Sequence, residues 1–210
     1  RREEKKKSQI KKKVFVALSG GVDSSVAAAL LKEQGYDVTG VFMKNWSDER
    51  LSSCPYKEDR ASAMRVAVAL SIPFFTWDFE KEYKKEVVEY MIREYREGKT
   101  PNPDVMCNRK IKFGLFLSRA LEEGADFIAT GHYVRLKPEI ISQGRRERAL
   151  HEKPKLVFHL FKADDKNKDQ SYFLWMLTQE QLRYCFFPLA EYKKDEVRAK
   201  EQAKITVQNL

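Results

Sequence analysis

Cysteine is scarce in this chain, with three in 210 residues: Cys54, Cys107 and Cys185. No two of them form a C-x-x-C pair, which argues against a zinc site or a disulfide framework and fits a reducing cytoplasm. Histidine is as rare, and His132, His151 and His159 are too scattered to make a metal cluster. No apolar run approaches the roughly 20 residues that cross a bilayer, so no membrane partner is expected. The opening RREEKKKSQIKKK lacks the apolar segment of a secretory signal. It also lacks an initiating Met, so the chain is expected to be processed, trimmed or a fragment.

What is present is an ordinary balance of hydrophobic (42%) and charged (34%) residues, enough for one good core. The net charge of +9 is concentrated at one end, because residues 1–13 hold eight Lys or Arg against two Glu. Such a run reads as a solvated, disordered leader. The other reading is an arm that touches phosphates.

Beyond the leader, strand and helix patterns alternate. Val14–Leu18 is a short continuous apolar run, as expected of a strand buried on both faces. Residues 24–34 follow as a helix closed by Gly35, then 37–44 as a strand, 56–70 as a helix and 72–79 as a strand. A long charged helix is expected over 80–97, a proline-containing loop over 98–106, a helix from 107 to about 123, and a fourth strand over 125–132. This alternation predicts an α/β fold, a doubly wound parallel sheet with helices on both faces. After it, 137–155 reads as a mobile insertion or exposed hairpin, 156–163 as a strand and 193–204 as a solvated helix, the start of a smaller segment.

The stretch VFVALSGGVDSSVAAALL, residues 14–31, joins the first strand to the first helix through two adjacent glycines. It is neither a lysine P-loop nor a G-x-G-x-x-G fingerprint. Even so, a strand, a glycine turn and a helix start bring backbone N–H groups and a positive helix end to one place, which makes an anion site. Ser19 and Ser24 add hydroxyls. Asp23 has two readings: a Mg²⁺ ligand that neutralises phosphate oxygens, or a simple N-cap.

SGGVDSS after an apolar strand resembles the PP-loop of the N-type ATP pyrophosphatases. Three further segments, EYREGKTPNPDVMCNRKIKFG (94–114), GADFIATGHYVRL (124–136) and KNKDQSYFLWMLTQEQL (166–182), resemble the tRNA-specific 2-thiouridylases in order and spacing. Residues 52–75 and 187–200 resemble them too, so the likeness extends from Val14 to Leu210. It implies an adenine nucleotide alpha-hydrolase-like domain that takes ATP and Mg²⁺, with tRNA and a persulfide-bearing donor protein as partners. A cytoplasmic monomer is expected. The reaction implied is adenylation of the C2 oxygen of the wobble uridine, followed by sulfur transfer to C2.

Residue by residue, the resemblance assigns ATP binding to Ala17, Leu18, Ser19, Gly20, Gly21, Val22, Asp23 and Ser24, with Met43 and Gly131 at the adenosine. Asn102, Pro103 and Asp104 are implied to meet the target uridine. Cys107 matches the catalytic cysteine, and His132, Lys168, Asp169 and Gln170 match tRNA contacts. On its own residue chemistry Cys107 is either a buried structural thiol or a reactive one. Placed at a helix start its pKa would be lowered, with Asp104 three residues before it for proton transfer. Cys54 reads as structural, Cys185 as a core residue at a helix end, and Trp46, Trp77 and Trp175 as core or interface aromatics.

The family's second, persulfide-carrying cysteine, in an S-x-G-x-C-F segment, has no counterpart here. Residues 14–210 are therefore expected to be the catalytic domain of a longer protein or a naturally curtailed form, unable by itself to complete sulfur transfer. The rival readings are a non-catalytic ATP- and RNA-binding module and another PP-loop adenylating enzyme acting on a small molecule.

Overall fold

The structure is a computed structural model describing residues 11–46, 55–141 and 154–203. Most of the basic leader, Cys54 and much of the 137–155 insertion therefore lie outside the described residues.

Five strands form one parallel sheet: β1 (Lys13–Ala17), β2 (Asp37–Lys44), β3 (Phe74–Asp78), β4 (Phe127–Ala129) and β7 (Cys185–Phe186). Their spatial order is β3-β2-β1-β4-β7. The chain moves outward from β1 through β2 to β3, then returns to place β4 on the other side of β1. That reversal leaves a crevice beyond the carboxyl ends of β1 and β4, where ligands bind in open α/β sheets.

Strand side chains alternate between two cores, as the period of two requires. Val14, Val16 and Leu18 face α1 (Val22–Glu33) and α2 (Pro55–Ala69), packing against Ala28, Ala29, Leu31, Ala63 and Val66. Phe15 and Ala17 face the opposite way, into a cluster with Trp77, Ile111, Phe113 and Phe116. The helices on that face are α3 (Glu80–Tyr83), which runs through π-helical Lys84–Val88 into α4 (Glu89–Arg96), and α5 (Pro103–Met106), which runs through π-helical Cys107–Leu115 into α6 (Phe116–Glu122). A sheet covered on both faces is the doubly wound arrangement expected from the alternation.

The smaller segment begins with β5 (Val134–Ile141), paired antiparallel with β6 (Lys155–Lys162). These two strands bear out the exposed-hairpin reading at the described ends of the insertion. After α7 (Gln179–Leu182) and β7, α8 (Lys194–Glu201) packs back on α1, with Leu189 and Val197 buried against Val26, Ala27 and Leu30. Among the described residues no helix is long and apolar enough to cross a membrane.

Two expectations need correction. Cys185 is not at a helix end: it opens β7 and is buried at the edge of the parallel sheet. The helix expected from 107 begins four residues earlier, because Asn102 accepts the Val105 N–H at 3.1 Å and Pro103 occupies the first helical position. That combination is a strong helix start despite the flanking prolines.

Candidate functional site

The chain leaves β1 at Ala17 and enters α1 at Val22, so the turn between them opens directly into the crevice. Gly20 sits at φ +83°, and a Cβ there would come 2.4 Å from the Asp59 carbonyl oxygen of α2. Only glycine satisfies both conditions. The turn is then tied to the helix it starts: Ser24 Oγ donates to the Gly21 carbonyl at 3.0 Å and accepts the Ser19 N–H at 3.2 Å. Ser25 Oγ donates to the same carbonyl at 2.9 Å. Ser24 is thus buried in holding the turn together, whereas Ser19 and Gly21 are exposed.

The N-cap of α1 is Gly21, without a side-chain cap, which corrects the reading of Asp23 as an N-cap. Asp23 Oδ1 instead accepts from the Tyr133 hydroxyl at 2.8 Å and pairs with the Lys194 ammonium at 2.6 Å. Burial first, then the Asp23 hydrogen bond, push the Tyr133 phenol well above its ordinary pKa, so it remains the proton donor. Among the described residues no group of three or more His, Cys, Asp or Glu comes together as a metal site. Asp23 and Asp59 are, among the described residues, the carboxylates that line the crevice.

The crevice encloses about 540 Å³. Its walls are Ala17, Leu18, Ser19, Asp23 and Ser24 on the loop side, Phe42, Met43, Asn45 and Trp46 at the end of β2, and Thr130, Gly131 and His132 after β4. Gly131 lies so close to α1 that a Cβ would stand 2.7 Å from the Ser24 nitrogen and 2.8 Å from the Asp23 carbonyl carbon. A larger residue there would push the β4 end away from the loop. The lining divides between the polar side chains and helix start on the loop side and the apolar and aromatic side chains of Phe42, Met43, Trp46 and Tyr56. That division suits a nucleotide, with phosphates at the helix start and a base among the hydrophobic side chains.

His132 is buried beside Phe113 and Phe187, with Nδ1 2.7 Å from Thr130 Oγ1. Burial first, and then the Lys112 ammonium, lower its pKa to about 3, so the imidazole is neutral. Gln170 also reaches the crevice and is held by Tyr133, whose N–H it accepts at 3.1 Å and to whose carbonyl it donates its own N–H at 2.9 Å. Asp169 points elsewhere: it accepts from the Ala163 N–H and the Ser171 hydroxyl, fixing the chain after β6. Lys168 is exposed.

The second half of the expected site lies apart from the crevice. Asn102 edges a separate depression of about 610 Å³ with Arg93, Arg109, Lys110 and the exposed Trp175. Pro103, Asp104 and Cys107 line neither cavity. Cys107 is only 9% exposed and belongs to the core cluster that includes Phe113 and Phe116. Its pKa is raised: burial pushes it up, Lys112 pulls it back, and Asp104 pushes it up again. The expectation of a helix-lowered thiol is therefore corrected, because one full turn of α5 precedes Cys107 and the thiol is in the core rather than at the dipole's end.

Several crevice residues were not marked by any local motif. Lys112, Asn45 and Tyr56 line it, and Tyr133 and Lys194 hold Asp23. For Lys194 the available signal was its place in the family-like segment 187–200.

A family model described as the tRNA methyl transferase HUP domain matches residues 12–209, and the chain belongs to that family. The curated tRNA-specific 2-thiouridylase MnmA of Christiangramia forsetii is 52% identical over 202 residues, 94% of this chain and 48% of the relative. The protein of the same name from Lactococcus lactis is 49% identical over 193 residues, 91% of this chain and 48% of the relative. The chain thus spans about half the length of the curated relatives it matches. Among solved structures, the U34-tRNA thiolase NcsA from Methanococcus maripaludis aligns with a TM-score of 0.55 at 18% identity, covering 92% of this chain and 57% of that one. A predicted subunit of tRNA methyltransferase from Methanocaldococcus jannaschii gives 0.51 at 15% identity, covering 90% and 73%. At these identities the likeness is one of fold.

Proposed function

We propose that this domain binds ATP in the crevice between β1 and β4 and uses it to adenylate the C2 oxygen of the wobble uridine in tRNA, readying that carbon for sulfur. The observation that carries the reading is the glycine turn at the start of α1, which opens into a cavity lined by both polar and aromatic side chains. The names of the MnmA relatives support tRNA 2-thiolation as the overall activity, and tRNA as the substrate.

In this reading the exposed Ser19 and Gly21, with the first amides of α1, hold the phosphates, while Met43 and Gly131 border the adenosine. Asp23 and Asp59 are the carboxylates that would hold a magnesium ion, whose charge would offset that of the phosphates. The uridine C2 oxygen attacks the α-phosphorus, and pyrophosphate leaves. Sulfur carried as a cysteine persulfide then attacks C2 and expels AMP. Attack of a second thiolate, the role assigned to Cys107, on the carrier sulfur breaks the S–S bond, leaving 2-thiouridine and a disulfide between the two cysteines. A flipped-out base is required, because C2 cannot be reached inside a stack.

Asn102, Pro103 and Asp104 form the rim assigned to the uridine, Cys107 is the thiol assigned to sulfur transfer, and His132, Lys168, Asp169 and Gln170 are assigned to tRNA. The neutral His132 imidazole in the crevice wall supports a polar, uncharged contact rather than a phosphate clamp. The remaining partner is a persulfide-bearing donor protein, and the protein is read as a cytoplasmic monomer with residues 14–210 as its catalytic domain. Titration with Mg-ATP by calorimetry, followed by assay of pyrophosphate released with and without tRNA, tests the reading. Release that depends on tRNA is expected. ATP binding without such release would leave a nucleotide-binding module, and no ATP binding would remove the reading altogether.

A further inference from the structure

The loop between β1 and α1 contains no lysine, yet an ammonium stands beside it. Lys194, the first residue of α8, places Nζ 2.6 Å from Oδ1 of Asp23, a residue that lines the crevice. The two residues are 171 positions apart in sequence. This contact is firmly built. The Lys194 N–H donates to Asp165 Oδ2 at 2.9 Å, and the neighbouring Lys193 N–H donates to Glu196 Oε2 at 2.7 Å, fixing the start of α8. Leu189 and Val197 bury that part of the chain against Val26, Ala27 and Leu30 of α1. The side chain of Lys194 is 19% exposed, so most of its length is out of water.

Such placement is not explained by stability. Asp23 already lies in the first turn of α1, where the helix dipole favours a carboxylate, and it already accepts from Tyr133. An ion pair with a carboxylate 36% exposed adds little to folding, while ordering a lysine side chain costs entropy. The arrangement does have a consequence for the crevice. It offsets the charge of Asp23, the acidic residue in the first turn of α1, and it keeps an ammonium beside a side chain that lines the cavity. Among the described residues, Asp23 is the one partner of that ammonium, which leaves two of its three N–H bonds for another acceptor.

We propose that Lys194 is a phosphate-binding residue of this site: in the unliganded protein its ammonium rests on Asp23, and on nucleotide binding it donates to the β- and γ-phosphate oxygens, the part that leaves as pyrophosphate. A lysine delivered by the last helix thereby takes the part that a lysine inside the loop takes in other phosphate-binding turns. The inference rests on the ATP reading and deepens it.

The test is calorimetric titration of the wild-type chain, Lys194→Gln, Lys194→Arg and Tyr133→Phe with inorganic pyrophosphate, Mg-ATP and adenosine. Lys194→Gln can still donate to Asp23 and so keeps the loop in place. It is expected to lose roughly ten- to hundredfold in pyrophosphate and ATP affinity, the scale of a hydrogen bond to a charged group, with adenosine binding unchanged. Lys194→Arg should restore most of the loss. Tyr133→Phe, which removes the other Asp23 contact but keeps the ammonium, should bind pyrophosphate within about threefold of wild type. Unchanged pyrophosphate affinity in a folded Lys194→Gln, or an equal loss in Tyr133→Phe, would overturn the proposal. Wild-type chain that binds neither pyrophosphate nor Mg-ATP would instead remove the reading of the crevice, and the role of Lys194 with it.

Discussion

The turn at Ser19–Ser24 and the segment from Asn102 to Cys107 carry the two halves of one assigned reaction, but they are in different states. The first is complete: its hydroxyls are engaged, Gly20 is required by its φ and by the Asp59 carbonyl, and the turn opens onto a cavity. The second has its thiol in the core and its asparagine on a different depression. In the proposed reading, nucleotide binding and sulfur chemistry make different demands on this domain. An anion site must be rigid to hold its charges at fixed distance, whereas a reactive thiol is protected while no acceptor is present. Cys107 also opens a π-helical stretch, Cys107–Leu115, an arrangement frequent at functional sites.

Four measurements break or sharpen this contrast. The largest effect is expected from Gly20→Val. A β-branched residue at φ +83° with its Cβ 2.4 Å from the Asp59 carbonyl cannot keep the turn. ATP affinity should fall more than about a hundredfold, a loss on the scale of several weakened phosphate contacts, while circular dichroism stays near wild type. Retained affinity would mean that the turn is not the phosphate site.

Next is the rate at which Cys107 reacts with iodoacetamide. Because burial raises its pKa, the thiolate fraction at pH 8 is below that of a free cysteine, and access is restricted as well. Alkylation followed by peptide mass spectrometry should be slower than for glutathione by roughly tenfold or more, and should keep rising above the ordinary thiol range. Fast alkylation in the free protein would show the segment to be as open as the crevice.

A smaller effect concerns pH. His132 has a folded-state pKa of about 3, against about 6.5 when unfolded. Below about pH 6.5 only the unfolded chain takes up the proton, so this residue's contribution is intact above that value and is lost as pH falls toward 3. Thermal melts between pH 7.5 and 5 should show a falling midpoint, and His132→Gln should flatten the part due to this residue. An unchanged slope would place the ring in water.

The smallest is Asn102→Ala, which removes the cap of α5 and should cost about 1 kcal/mol in urea unfolding. Crevice affinity for ATP should be unaffected, because the two regions are separate. Coupling between them would instead show that the Asn102 depression and the crevice act as one.

What could be read from the sequence follows from how locally each feature is encoded. Val14–Leu18 and the glycine turn are contiguous, so their apolar run and spacing suffice to place a strand, a tight turn and a helix start in order. Met43, near the end of β2, and Gly131, just after β4, were picked out by the family likeness, and the sheet brings both to the crevice. The start of α5 was also legible in principle: Asn102-Pro103-Asp104 is a cap, a first-turn proline and an acidic residue in order, although its proline content reads as loop. By contrast, β7 has two residues and no periodicity, and it exists because β4 offers it a partner. The burial of Cys107 depends on helices packed from elsewhere in the chain, and the π-helical turns have no local signature. Lys194 and Tyr133 reach Asp23 only through the fold.

The bond between Asp23 and Lys194 also has a consequence in time. A ribosome delivers the glycine turn early and the lysine 171 residues later, an interval of roughly 10–30 s at about 5–20 residues per second. Through that interval Asp23 lacks its cation, and α1 lacks the apolar cover of Leu189 and Val197. If Lys194 binds phosphate as proposed, the nascent loop gains that contact only when α8 packs on α1.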